Sequence, residues 1–407
     1  MSGRADDRLG CLECGLIQRL PELAPRQKAI CRQCGMTVLR HCPNQMRTGM
    51  ALILSAIILS APSLLEPLFV ANVFGHQRFS AVFTGVTSLW TDAWWPLALV
   101  VLGFVIVIPM VWLCALLFVF LCLEYQARPP SLPYVYRAAE TLNAWAMPDV
   151  FLVGAAVAYA RMNSLASVAI TDGGWCFFTF AFLVMAIRST IDSAEIWNAI
   201  GSPPAVEGNV SLICPGCALA LPSSSSGKRC PRCKSMVSAR RSLALDSAVA
   251  CLIAAYLLYI PANLLPVLRI AHLNSNFSTT ILGGVWDLAK AGMWPLAVVV
   301  FAASIIIPTV KLIGLTWCLT GTRQAGTSHL IERARLYRVI DRIGRWSNID
   351  VFVISILTAL IQFGAIGTAQ AGAGAVAFGA VVVLTMLASR LFDSRLMWPE
   401  TVSIHER

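Results

Sequence analysis

The sequence predicts an all-α integral membrane protein. Its eight transmembrane helices form two tandem four-helix units, each preceded by a small cytoplasmic zinc ribbon. Three observations carry this. The chain is 57% hydrophobic and only 13% charged, against about 25% charged for soluble domains, and the deficit is gathered into eight runs long enough to span a bilayer. The two halves repeat each other. Each half opens on two Cys-x-x-Cys pairs.

Residues 1–48 form the first polar segment. Cys11-x-x-Cys14 and Cys31-x-x-Cys34 stand sixteen residues apart, the spacing of a zinc ribbon. Four Cys ligands close a tetrahedral shell and leave no position open for chemistry, so the site reads as structural; rubredoxin-like iron and redox dithiols are the alternatives. No N-terminal signal peptide is visible in this segment, and none is expected. The first four-helix unit covers 49–197, with apolar runs near 49–70, 94–123, 147–165 and 174–195. Pro62 and Pro67 interrupt the first run, since proline removes a ladder donor. Residues 198–243 hold a linker, Gly201-Ser-Pro-Pro204, and a second ribbon on Cys214, Cys217, Cys230 and Cys233, with Ser223 to Ser226 as a flexible tip. The second unit covers 244–398, with runs near 244–268, 294–320, 349–369 and 373–392 and a second proline pair, Pro261 and Pro266, around Asn263. A tail, 399–407, follows. Five of the remaining cysteines lie in apolar runs, where a thiol packs as a small hydrophobe.

The repeat is legible residue by residue. Pro62, Pro67 and Ile108-Pro109 recur as Pro261, Pro266 and Ile307-Pro308 at an offset of 199; Asp149 and Trp197 recur as Asp350 and Trp398 at 201. Trp145-Ala-Met-Pro-Asp149-Val-Phe151 and Trp346-Ser-Asn-Ile-Asp350-Val-Phe352 are twins. An even number of helices per unit makes the repeat parallel. The ribbon-side segments hold 24 Lys and Arg, while the opposite loops hold Arg78, Arg161, Arg269 and Lys290. The positive-inside rule places both ribbons and both termini in the cytoplasm, where reduced thiols favour a metal over disulfides. The same rule accounts for the net charge of +10 without nucleic acid. Residues 331–345 put Leu336, Val339, Ile340 and Ile343 on one helical face flanked by arginines. That suits a helix lying beside anionic headgroups; packing on a ribbon is the alternative.

The two four-Cys ribbons, Ile260-Pro-Ala-Asn-Leu-Leu-Pro266, Gly344-Arg-Trp-Ser-Asn-Ile-Asp-Val-Phe-Val-Ile-Ser355 and Phe392-Asp-Ser-Arg-Leu-Met-Trp398 together resemble the paraquat-inducible protein A family, including its LetA branch. The resemblance covers nearly the whole chain. It implies a bacterial inner-membrane subunit that works with a periplasmic MCE-domain tunnel protein, moves phospholipids between membranes and maintains the envelope. No phosphate-binding Gly-x-x-x-x-Gly-Lys-Ser/Thr motif occurs, so proton or ion coupling is the natural candidate for an active process.

Lys311 is the most informative residue, because an ionisable group inside an apolar run points to function; snorkelling to the interface is the competing reading. Asp350 is its expected partner, with N-capping as the alternative. Ser304 and Thr385 are candidate relay hydroxyls, although helical hydroxyls commonly bond their own carbonyls. In the first unit Trp112 replaces Lys311 and Asp149 is retained with a capping role, so the coupling chemistry is assigned to the second unit. Pro62, Pro67, Pro261, Asn263 and Pro266 are candidates for a helix break lining a lipid path. The other function classes are a membrane redox protein, disfavoured for haem because no histidine lies in an apolar run, and a non-transporting scaffold for a periplasmic partner. No enzymatic site is legible.

Overall fold

The computed structural model describes residues 8–19, 23–25, 27–73, 76–163, 167–201, 210–237, 242–272, 275–323, 329–360 and 367–398. The C-terminal tail and most of the Gly201–Pro204 linker lie outside the described residues. Among the described residues eight helical stretches are long and apolar enough to cross a membrane: Gln45–Leu65, Trp95–Glu124, Leu132–Asn163, Asp172–Thr190, Leu245–Leu264, Trp294–Gly321, Leu330–Leu360 and Ala373–Leu391. The third and seventh begin as amphipathic helices, Leu132–Asn143 and Leu330–Ile343, and continue after a turn as apolar ones, Pro148–Asn163 and Ile349–Leu360. In hydrocarbon a chain must satisfy its own backbone groups, and the helix does so within one segment.

The repeated sequence signals correspond to repeated local structure. Pro62 and Pro261 lie within the last turn of the first and fifth spans. The helices run through them and stop before Pro67 and Pro266, with Glu66 N–H donating to the Pro62 carbonyl and Leu265 N–H to the Pro261 carbonyl. The proline pairs therefore shape helix ends and do not break a helix mid-membrane. Ahead of Pro109 and Pro308 the second and sixth spans widen into π-helical turns, Leu102–Val107 and Ala302–Ile306. Such a turn re-spaces the ladder; in the first unit the Phe104 carbonyl accepts from Met147 N–H at 2.9 Å.

On the side opposite the ribbons each unit carries a small sheet absent from the sequence reading. The hairpin Phe69–Val73/His76–Ser80 is joined by Ser167–Ile170, and the hairpin Leu268–His272/Ser275–Thr279 by Gly367–Ala371, all antiparallel. A short helix follows each hairpin, Val82–Thr91 and Ile281–Lys290. These helices expose Phe83 and Trp90, or Leu282 and Trp286, beside the exposed Trp95 and Trp294, an aromatic belt of the kind found where a helix bundle meets the membrane surface.

The two units meet through their own twin segments. Phe151 and Phe352, 201 residues apart, are in ring contact at 5.5 Å. Asn348 Nδ2 lies 3.1 Å from the Sδ of its counterpart Met147. Gly154 permits the approach: a Cβ there would lie 3.0 Å from Phe352 Cβ. The third and seventh spans thus form the seam of an approximate two-fold arrangement.

The ribbons sit side by side. Leu9 bridges to Leu219, and Gly10 N–H donates to the Ala218 carbonyl at 3.2 Å. Their metal-site ends are crossed over the units. The first cysteine group packs among second-unit residues such as Leu312, Leu315 and Ile340, while the second joins the core cluster that holds most of the first unit, with Arg232 Nη1 beside it donating to Asn198 Oδ1 at 2.8 Å. Ser223–Ser225, expected as a loose tip, forms a single 3₁₀ turn. Helix Leu330–Ile343 packs on the sixth span and the first ribbon: Ile340 lies against Gly314, and Arg338 Nη1 donates to Glu13 Oε2 at 2.9 Å and to the Cys34 carbonyl at 3.0 Å. It is therefore not free at the headgroups, although Val339 and Ile343 stay exposed.

Candidate functional site

All eight predicted cysteines gather into two buried groups of four, and within each group the sulfurs lie within 4.8 Å of one another. Each Cys-x-x-Cys sits at the tip of a strand pair: Arg8–Gly10 with Ile17–Arg19, Lys28–Ile30 with Thr37–Arg40, Val210–Ile213 with Ala220–Pro222, and the Arg229–Met236 bridge. The turn is the same four times. The first cysteine's N–H donates to the residue five positions on, and its carbonyl accepts from the residue four positions on. That latter residue is left-handed in each: Gly15 (φ 79°), Gly35 (φ 74°), Ala218 (φ 57°) and Lys234 (φ 60°). Sulfur pairs stand 3.5 Å apart in the first group and 3.3 and 3.7 Å in the second. A tetrahedral shell with metal–sulfur bonds of about 2.3 Å has S···S edges near 3.8 Å, so each group fits one metal ion with no open coordination position. Burial pushes the Glu13 carboxyl beside the first group above its usual range, while Arg338 opposes the shift.

In the second unit Lys311 is 2% exposed. Its Nζ donates to the Thr385 hydroxyl at 3.1 Å and to the Gly344 carbonyl at 3.3 Å. Gly344 lets the lysine end approach closely, since a Cβ there would lie 2.6 Å from Lys311 Cε and would displace it. The structure brings Lys311 and Thr385 together as the sequence suggests. Asp350, the expected partner of Lys311, faces elsewhere. It lies beside Ser304 and within electrostatic reach of Arg161, and its Oδ2 is buried with no hydrogen-bond partner among the described residues. Ser304 donates to its own Val300 carbonyl at 2.6 Å, the back-bonding expected of a helical hydroxyl. The π turn containing Ser304 alters the seven-residue phase that was to put it on one face with Lys311. Arg161, read from the sequence as an opposite-side loop residue, comes from the end of Pro148–Asn163, lies close to Gly284 and sits between Asp350 and Asp287. Nothing in its local sequence signals that role.

The first unit is built differently. Asp149 is not simply a cap: its Oδ2 meets Arg188 Nη1 at 3.1 Å and Arg345 Nη1, from the other unit, at 3.6 Å. Arg188 also donates to Asn143 Oδ1 at 2.9 Å and to the Ala146 carbonyl, and it stacks on Trp112, the residue in the place of Lys311. Each unit therefore carries a cation at this level, the half-buried Arg188 on the fourth span in the first unit and the buried Lys311 on the sixth in the second. Asn263 Nδ2 donates to its own Tyr259 carbonyl at 2.8 Å and Ser63 Oγ to the Ser60 carbonyl at 2.9 Å; with Pro62, Pro67, Pro261 and Pro266 they finish helix ends.

The family model for paraquat-inducible protein A matches the chain twice, over residues 46–201 and 245–401. Among curated proteins, the intermembrane transport protein PqiA of Escherichia coli K12 is 31% identical over 95% of this chain and 94% of its own length. The lipophilic envelope-spanning tunnel protein A of the same organism is 31% identical over 95% of this chain and 90% of its own. A probable intermembrane transport protein of Haemophilus influenzae is 27% identical over 96% and 95%. No solved structure matches.

Proposed function

The chain belongs to the paraquat-inducible protein A family, and on that basis we propose that it is the inner-membrane subunit of a system that moves phospholipids between membranes, its polar core lying in the second unit. The observation that carries this is Lys311, a cation enclosed among membrane-spanning helices whose hydrogen-bond partners among the described residues are a hydroxyl and a carbonyl. An unpaired intramembrane charge is costly and persists where it binds an anion or exchanges a proton. Thr385 holds Lys311, while Ser304, Asp350 and Arg161 form a second polar cluster. A proton relay or a headgroup contact across these two clusters is the coupling step. Asp149 belongs to the first unit's ion cluster and supports the seam.

The charge asymmetry favours cytoplasmic ribbons, which sets the opposite-side sheets toward a periplasmic MCE-domain partner and an envelope-maintenance role. Four thiolates in a closed shell suit zinc, with iron as the competing ion; elemental analysis is expected to find two zinc ions per chain, and iron in their place would overturn the assignment. The transport reading is tested by complementing an envelope-defective deletion strain with Lys311→Ala and Asp350→Ala at checked abundance. Loss of rescue by both is expected. Full rescue by both would move the reading to a scaffold that anchors a partner without transporting.

A further inference from the structure

Two cavities meet at the Asp149 ion cluster, and Lys311 lines one of them. On the ribbon side a cleft of about 620 Å³ opens between the first ribbon and the two units. Its cations are Arg188, Lys311, Arg338, Arg342, Arg345 and Arg390, against Glu13, Glu140 and Asp341. Arg188 is committed to Asp149 and Arg338 to Glu13. Arg390 reaches Asp341 only at 3.9 Å, and Arg345 reaches Asp149 only at 3.6 Å, with its Nε buried and without a hydrogen-bond partner. Arg342 pairs with no carboxylate among the described residues. Arg342 and Arg390 thus remain to receive an anion, and Arg345 keeps donors that Asp149 does not use; guanidinium geometry matches a phosphate.

The second cavity is an apolar groove of about 450 Å³ between the third and fourth spans, walled by residues such as Phe69, Tyr159, Phe177 and Met185. Trp175, Phe178 and Phe182 line it and are exposed, so it opens sideways. Asp149 and Trp346 line this groove; Arg188 and Arg345, which hold Asp149, line the cleft. A basic pocket and an aromatic groove therefore meet at one ion cluster, with charge at one end and hydrocarbon along the other.

We propose that the chain retains one anionic phospholipid where the two units meet, its phosphate on Arg342, Arg345 and Arg390 of the second unit in the cleft and an acyl chain in the first unit's groove between the third and fourth spans. The lipid comes from the ribbon-side leaflet and slides in past the exposed aromatic rim. This rests on the lipid-transport reading and adds to it a place for the lipid, its phosphate in the cleft that Lys311 also lines and its acyl chain in a groove that Lys311 does not reach.

The test is native mass spectrometry of the full chain after equilibration in vesicles of equal parts phosphatidylglycerol and phosphatidylcholine. One retained phosphatidylglycerol per chain is expected. Ala156→Phe, which fills the groove, abolishes retention, and Met185→Trp does the same if Ala156→Phe fails to fold. The pair Arg342→Gln and Arg390→Gln keeps a lipid but loses the preference for phosphatidylglycerol. Excess inorganic phosphate leaves the lipid bound. Retained lipid that mirrors the vesicle composition and survives both filling variants is annular lipid only and overturns the proposal. Complete displacement by inorganic phosphate overturns the acyl groove. If retention fails while Lys311→Ala still abolishes complementation, only this inference falls and the transport reading stands.

Discussion

Asp149 and Lys311 stand for two ways of burying a charge. Asp149 neutralises two arginines from opposite units, so its removal leaves two uncompensated cations. Breaking a buried pair in this way costs about 3–5 kcal/mol. Asp149→Ala is therefore expected to lower the thermal midpoint in detergent and to reduce abundance in the membrane. Among the described residues Lys311 has neutral hydrogen-bond partners, so the cost of burying its charge is poorly repaid and an apolar side chain of similar length removes that cost. Lys311→Met is expected to keep or raise the thermal midpoint while failing to complement. A midpoint that falls with Lys311→Met would make Lys311 a structural strut.

At the scale of elements, close backbone approach fixes where the helices end. Gly173 and Gly374 are repeat partners at the start of the fourth and eighth spans. A Cβ on either would sit 2.4 Å from a carbonyl oxygen, that of Pro67 for Gly173 and of Leu265 for Gly374. The obstacle is backbone at the proline-shaped end of the neighbouring helix, which a rotamer change does not relieve. Gly374→Val is expected to destabilise by about 1–3 kcal/mol, the usual cost of overpacking, read as a lower thermal midpoint. The π turns before Pro109 and Pro308 belong to the same scale: the Ile-Pro repeat announces a local device, and the device turns Ser304 toward Asp350.

At the scale of the whole molecule, the crossed ribbons tie each metal group to a membrane unit. The Arg338 contacts to Glu13 and the Cys34 carbonyl are the polar link between the first ribbon and the helix that ends at Gly344, the carbonyl holding Lys311. Arg338→Ala is expected to expose the first ribbon to limited proteolysis while the second stays protected. Equal protection of both ribbons in the variant would show that apolar packing alone seats the first. Removal of the metal ions by a strong chelator is expected to make both ribbons protease-sensitive, because a small ribbon has little core beyond its metal.

Much of this architecture was written in the sequence by signals that act over a few residues. Apolar runs of bilayer length fix eight spans, Cys-x-x-Cys pairs fix the metal groups, and an offset of about 200 residues between proline, tryptophan and aspartate landmarks fixes the repeat. Lys311 stood out because one cation in an apolar run is rare at any position. Contacts between segments distant in the chain were decided only in the tertiary structure. Lys311 meets Thr385 and not Asp350, Arg161 folds inward to the second unit, and Asp149 gathers arginines from both halves. The third strand of each sheet is supplied from about 100 residues away, and each cysteine group crosses to the other part of the molecule. Such pairings depend on how helices with near-uniform apolar surfaces choose their neighbours, and in a membrane that choice is made by packing shape and a few buried polar groups, which leave no periodic trace in a single chain.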